Sequence, residues 1–123
     1  MTVDLFPLLL ILFTHWVADF VAQSDWMAQN KSKSHYALSA HVLTYTLILF
    51  LGSLFISTHD IVLFYSWAVF NGLAHYGIDY ITSRISSKLY SEGKIHEFFV
   101  VIGFDQFLHT ATLLLSYYYI ILY

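Results

Sequence analysis

His15-Trp-Val-Ala-Asp19-Phe-Val-Ala-Gln23-Ser-Asp-Trp26 follows closely on the apolar run Leu5–Phe13, and the fold turns on how that junction is read. An imidazole and a carboxylate stand one helical turn apart in a segment otherwise suited to hydrocarbon. A charged residue at mid-bilayer costs roughly 2.5–3.5 kcal/mol on insertion scales, so ionisable groups kept at such depth are functional candidates. The same spacing returns at His75-Tyr-Gly-Ile-Asp79-Tyr80 and, in reverse order, at Asp105-Gln-Phe-Leu-His109.

Composition points to the bilayer rather than to water. Of 123 residues, 59% are hydrophobic and 20% aromatic, while 11% are charged; mean hydropathy is +0.67. A soluble domain carries about 25% charged residues. The net charge of -3, with no basic patch of interleaved aromatics, gives no support for a nucleic-acid partner. With no cysteine in the chain, disulfides and thiolate metal sites are excluded. Neither a basic leader nor a small-residue cleavage site marks the first apolar run, which is therefore expected to stay as a membrane helix.

A spanning helix needs about 20 mainly apolar residues. Four segments qualify: Leu5 to Ala22, Ala37 to Ser57, Ile61 to Ser83 and Phe98 to Tyr123. Pro7 falls in the opening turn of the first, where its missing N–H costs little. The expected architecture is a single all-α domain over residues 1–123, a bundle of four transmembrane helices. All five basic residues lie in two connections: Lys31 and Lys33 in one, Arg84, Lys88 and Lys94 in the other. Positive charge favours the cytoplasm, which puts both longer loops inside and both termini outside, in the manner of a bacterial inner-membrane protein. Ser24–Ala28 and Ser86–Tyr90 read as short interfacial amphipathic turns or as plain solvated linkers.

Depth then links the polar groups. With that orientation, His15, Asp19, His41, His75, Asp79, Asp105 and His109 all fall between the cytoplasmic side and the middle of the bilayer at about 1.5 Å rise per residue. Each His/Asp pair is spaced i, i+4 and so shares a helical face. His15…Asp19 with His41 parallels His75…Asp79 with His109, which suggests two pseudo-symmetric hairpins; chance likeness of two polar helices competes with that reading. Four imidazoles and three carboxylates form an N/O ligand set suited to a divalent Zn, Mn or Fe ion, one or two in number. Two divalent ions, three carboxylates and a bridging hydroxide sum to zero charge, which would remove most of the cost of burying the acids. The competing reading is interhelical hydrogen bonding alone. Gln23, Gln106 and Asn71 are candidate donors to the ligands, with helix packing as the alternative for Asn71. His35, His59 and His96, with Asp4, Asp25 and Asp60, read as solvated.

The combination His15-x-x-Ala18-Asp19-Phe20-x-x-Gln23, Trp26-Met27-Ala28 with Lys31, His41, His75-x-x-x-Asp79-Tyr80 and Asp105-Gln106-x-x-His109 resembles a family of small bacterial and phage membrane proteins catalogued only as a domain of unknown function. The resemblance covers nearly the whole chain and implies no particular activity. Members often have a lysine shortly after the second Asp-Tyr; here Arg84 stands slightly later instead.

Three functions compete. The first is a metal-dependent hydrolase taking a membrane lipid or other amphiphile from the cytoplasmic leaflet. In it, one of Asp19, Asp79 or Asp105 serves as base, and Lys31, Arg84 and Lys88 hold an anionic headgroup. The second is a divalent-cation or proton transport component, which with four helices needs a homo-oligomer; the apolar runs Leu8–Leu12, Ile48–Leu51 and Leu113–Leu115 count against it. The third is a structural or partner-binding membrane protein.

Overall fold

A computed structural model describes residues 2–123, and among them every regular element is helical. Helix α1 spans Leu5–Trp16 and runs without a break into a π-helical turn at Val17–Val21. The short α2 is Asp25–Asn30, α3 is His35–Ser53, α4 is Ile61–Ser91, and α5 is Ile95–Ser116, which continues as a π-helical segment over Tyr117–Leu122.

The starts are set by capping. Asp4 accepts from Phe6 N at 3.1 Å, Ser24 from Met27 N at 3.2 Å, and Ser34 from Ala37 N at 3.3 Å, each satisfying a backbone donor that the first turn leaves free. The Ser34 cap starts α3 two residues before the expected Ala37, and α3 ends at Ser53 rather than Ser57. Helix α5 likewise begins at Ile95, ahead of Phe98.

The larger difference is in α4. It does not stop at Ser83 but continues through Arg84 and Lys88 to Ser91, so the second long connection shrinks to a turn at Glu92–Lys94. Ser and Lys in that stretch read as a linker, yet Thr82, Ser83 and Ser86 form a buried face, and Tyr90 packs on Phe98 of α5 at 5.3 Å. Gly93, with φ +74°, makes the reversal. Ser24–Ala28, by contrast, folds as the capped helix α2.

Neighbouring helices run antiparallel. Thr14 of α1 meets Gly52 of α3 while Asp19 meets His41. Trp67 of α4 donates to Leu113 O while Thr82 reaches Asp105 on α5. Bonds from Gln106 to His15 and Asp19 close the ring of four helices. Inside, at the end away from the basic residues, lies an apolar plug of Ile11, Leu49, Phe64, Trp67 and Leu113. Toward the basic end the interior turns polar, with His, Asp and Ser side chains buried.

The exterior is apolar. Leu9, Phe13, Leu43, Leu47, Val62, Leu73, Phe104 and Phe107 are all exposed. Three helices, His35–Ser53, Ile61–Ser91 and Ile95–Leu122, are long and apolar enough to cross a membrane; the apolar Leu5–Val21 is shorter. Polar groups inside and large hydrophobes outside suit a hydrocarbon solvent.

Candidate metal centre

Asp19 sits, buried, in the π turn after α1; single π turns inside helices are often found at functional sites. His41 comes from α3, His75 and Asp79 from α4, Asp105 and His109 from α5. All six are buried, as is His15 of α1.

Four of these groups converge on one point. His41 Nε2 lies 3.0 Å from Asp19 Oδ1, 3.0 Å from His75 Nε2 and 3.5 Å from Asp79 Oδ2. His75 Nε2 lies 3.2 Å from Asp79 Oδ2 and 3.4 Å from Asp19 Oδ1. A neutral imidazole carries one N–H, so these contacts present more acceptors than there are ring protons to fill them. Nitrogen and oxygen ligands about 2.0–2.1 Å from a tetrahedral ion are about 3.3 Å apart. The five distances, 3.0 to 3.5 Å, are close to the edges of such a tetrahedron.

A second group shares Asp19. Asp19, Asp105 and His109 also offer atoms within 4.8 Å of one another. His109 Nε2 stands 3.3 Å from Asp105 Oδ1 and 3.0 Å from Asp79 Oδ1, and its ring stacks on His75 at 4.0 Å. Both groups together contain six of the seven residues singled out from the sequence.

His15 is placed differently. It belongs to neither group; its Nε2 is 3.8 Å from Asp19 Oδ2. Both ring nitrogens are engaged, Nδ1 with Tyr45 OH at 2.8 Å and Nε2 with Gln106 Oε1 at 2.9 Å. Donor logic orders this chain. Gln106 Nε2 donates to Asp19 Oδ2 at 3.1 Å and Asp105 Oδ2 at 3.0 Å, so its Oε1 must accept from His15 Nε2–H. His15 Nδ1 then accepts the Tyr45 hydroxyl proton. His15 thus orients Gln106, which in turn holds two carboxylates.

Several further groups complete the site. Thr82 Oγ1 donates to Asp105 Oδ1. Lys31 Nζ, from the turn after α2, donates to Asp79 Oδ2 at 3.0 Å. The Nδ1 atoms of His41 and His75 are buried without a protein partner, whereas metal-bound imidazoles usually donate that proton to a carboxylate or carbonyl. Sequence reasoning missed Tyr45 and Thr82, although each lies one turn beyond a ligand candidate, His41 and Asp79, on the same face. Asn71 bonds Trp67 O and Ser116, so it joins α4 to α5 away from the acids.

A cavity of about 230 Å³ opens beside the acids toward the basic end, with Asp19, Asp105 and Gln106 in its wall. Of the three cations expected at the mouth, Lys31 lines it. Arg84 does not: it stacks over Tyr80 at 3.8 Å and donates to Tyr80 O. Lys88 is exposed and outside the lining.

The sequence profile of a family described as "Protein of unknown function (DUF3307)" matches residues 7–123. No curated protein and no solved structure matches the chain.

Proposed function

The chain belongs to the DUF3307 family, and from its geometry we propose that it is an integral membrane protein with a divalent-metal centre that hydrolyses an amphiphile at the cytoplasmic leaflet. One observation carries the proposal: Asp19, His41, His75 and Asp79 each offer a ligand atom within 4.8 Å of the others, next to a cavity open at one end of the bundle. The ion would be Zn, Mn or Fe, held by nitrogen and oxygen alone. It would supply Lewis-acid polarisation of a carbonyl or phosphoryl oxygen and a water made acidic to a pKa of about 7.

The chain's own residues divide the remaining work. Asp105 lines the cavity and is held by Thr82 and Gln106, so it is the acid best placed to accept a proton from attacking water. With Asp19 and His109 it also offers a second metal position. Two equivalents of metal would assign it as a ligand; one would leave it as the base. Helices α1, α3, α4 and α5 all cross the bilayer in this reading, as one domain with both termini outside. Matching 3.0 Å contacts, His41 to Asp19 and His109 to Asp79, support two pseudo-symmetric hairpins.

Transport is the weaker reading because the apolar plug of Ile11, Leu49, Phe64, Trp67 and Leu113 continues from the polar cluster toward the far end. Elemental analysis of the purified protein beside Asp79→Asn provides the test. Stoichiometric metal in the wild type, lost in the variant, is the expected result. Less than one equivalent in the wild type sinks the centre.

A further inference from the structure

We propose that the cavity beside the acids is a binding site for a phosphoryl group carried on an apolar chain. This deepens the hydrolase reading and rests on it for the chemistry, while the binding itself stands on residues outside both proposed ligand groups.

The polar wall is a donor surface. Lys31 Nζ spends one of its three donors on Asp79 Oδ2, and the others are free to face the cavity it lines. Ser83 lines the same space; it is 8% exposed, and its Oγ has no partner. A buried hydroxyl without a hydrogen bond is costly, so its presence calls for a ligand atom. Gln23 also lines the cavity; its Oε1 is buried without a partner, and rotation of its terminal amide exchanges that oxygen for a donor. An ammonium beside dispersed hydroxyl and amide donors suits a tetrahedral phosphoryl group, which lysine binds as a point charge.

The two acids in the wall, Asp19 and Asp105, belong to the proposed ligand groups and are already hydrogen-bonded. Gln106 donates to Asp19 Oδ2 and Asp105 Oδ2, and Thr82 covers Asp105 Oδ1. The lining also includes the apolar side chains Phe20, Phe98 and Ile102. A free phosphate would leave these unused, whereas an alkyl chain can pack on them.

The test is calorimetric titration of the protein as purified in neutral maltoside micelles with dodecyl phosphate, inorganic phosphate and dodecyltrimethylammonium. Dodecyl phosphate is expected to bind one to one. Ser83→Ala is expected to weaken it about tenfold and Lys31→Gln by at least as much, the usual scale for losing a hydrogen bond to a charged group. Lys88→Gln, outside the cavity, should leave affinity unchanged. Because Ser83→Ala deletes an unpartnered hydroxyl, its thermal midpoint should hold or rise, which separates lost binding from lost folding. Equal affinity of wild type and Ser83→Ala for dodecyl phosphate overturns the site. So does equal binding of the ammonium amphiphile, and inorganic phosphate binding as tightly as dodecyl phosphate overturns the apolar chain. Metal content on the same preparations keeps the two proposals apart: a protein that takes no metal yet binds dodecyl phosphate refutes the centre alone.

Discussion

Gln106 shows how much a single neutral side chain contributes. Its Nε2 donates to Asp19 and Asp105 together, and its Oε1 takes the His15 proton. Gln106→Leu keeps the volume and removes all three contacts. Metal affinity, measured by competition with a chelator, is expected to fall about 10- to 100-fold, as when a metal ligand loses the group that orients it. An unchanged affinity would mean that the acids are fixed by the helices alone. The six residues of the two proposed ligand groups were legible from the sequence because charged and imidazole side chains are conspicuous in apolar runs. Tyr45 and Thr82 were not, since hydroxyl residues are common in such helices and carry no signal until a partner is known. Lys31 was legible as a cation near the mouth, but its reach to Asp79 depends on where α2 ends.

At the scale of elements, the gathering of these residues depends on how closely α3 and α4 approach. A Cβ added at Gly72 would overlap the Thr46 side chain, and His41 meets His75 about one turn away along the same contact. Gly72→Ala should therefore force the helices apart, at about 1–3 kcal/mol, the usual cost of overpacking. Thr46→Ala on the same chain should restore most of that loss, giving a coupling readable from thermal midpoints in micelles. Additive effects would show that the two side chains do not compete for space. The extension of α4 to Ser91 was hidden at this scale. Arg84, Ser87 and Lys88 look like a loop in composition, and the buried stripe of Thr82, Ser83 and Ser86 shows only at helical spacing.

For the molecule as a whole, the arrangement of polar interior, apolar exterior and sealed far end makes a claim about sidedness. The four long helices alternate in direction, so the α2 region and the α4–α5 turn share one end, and the α3–α4 connection lies at the other. All five basic residues cluster at the first end, the end that the proposed orientation puts in the cytoplasm. The chain has no cysteine, so single cysteines report position without a background. In intact bacterial cells, Ser32→Cys and Ser87→Cys are expected to resist a membrane-impermeant maleimide and to react after lysis, while Thr58→Cys reacts in both. Labelling of Ser32→Cys in intact cells would reverse the orientation and put the cavity on the outer leaflet. Equal labelling of all three sites before lysis would remove the bilayer from the argument, and with it the reason for reading buried acids and imidazoles as a functional centre.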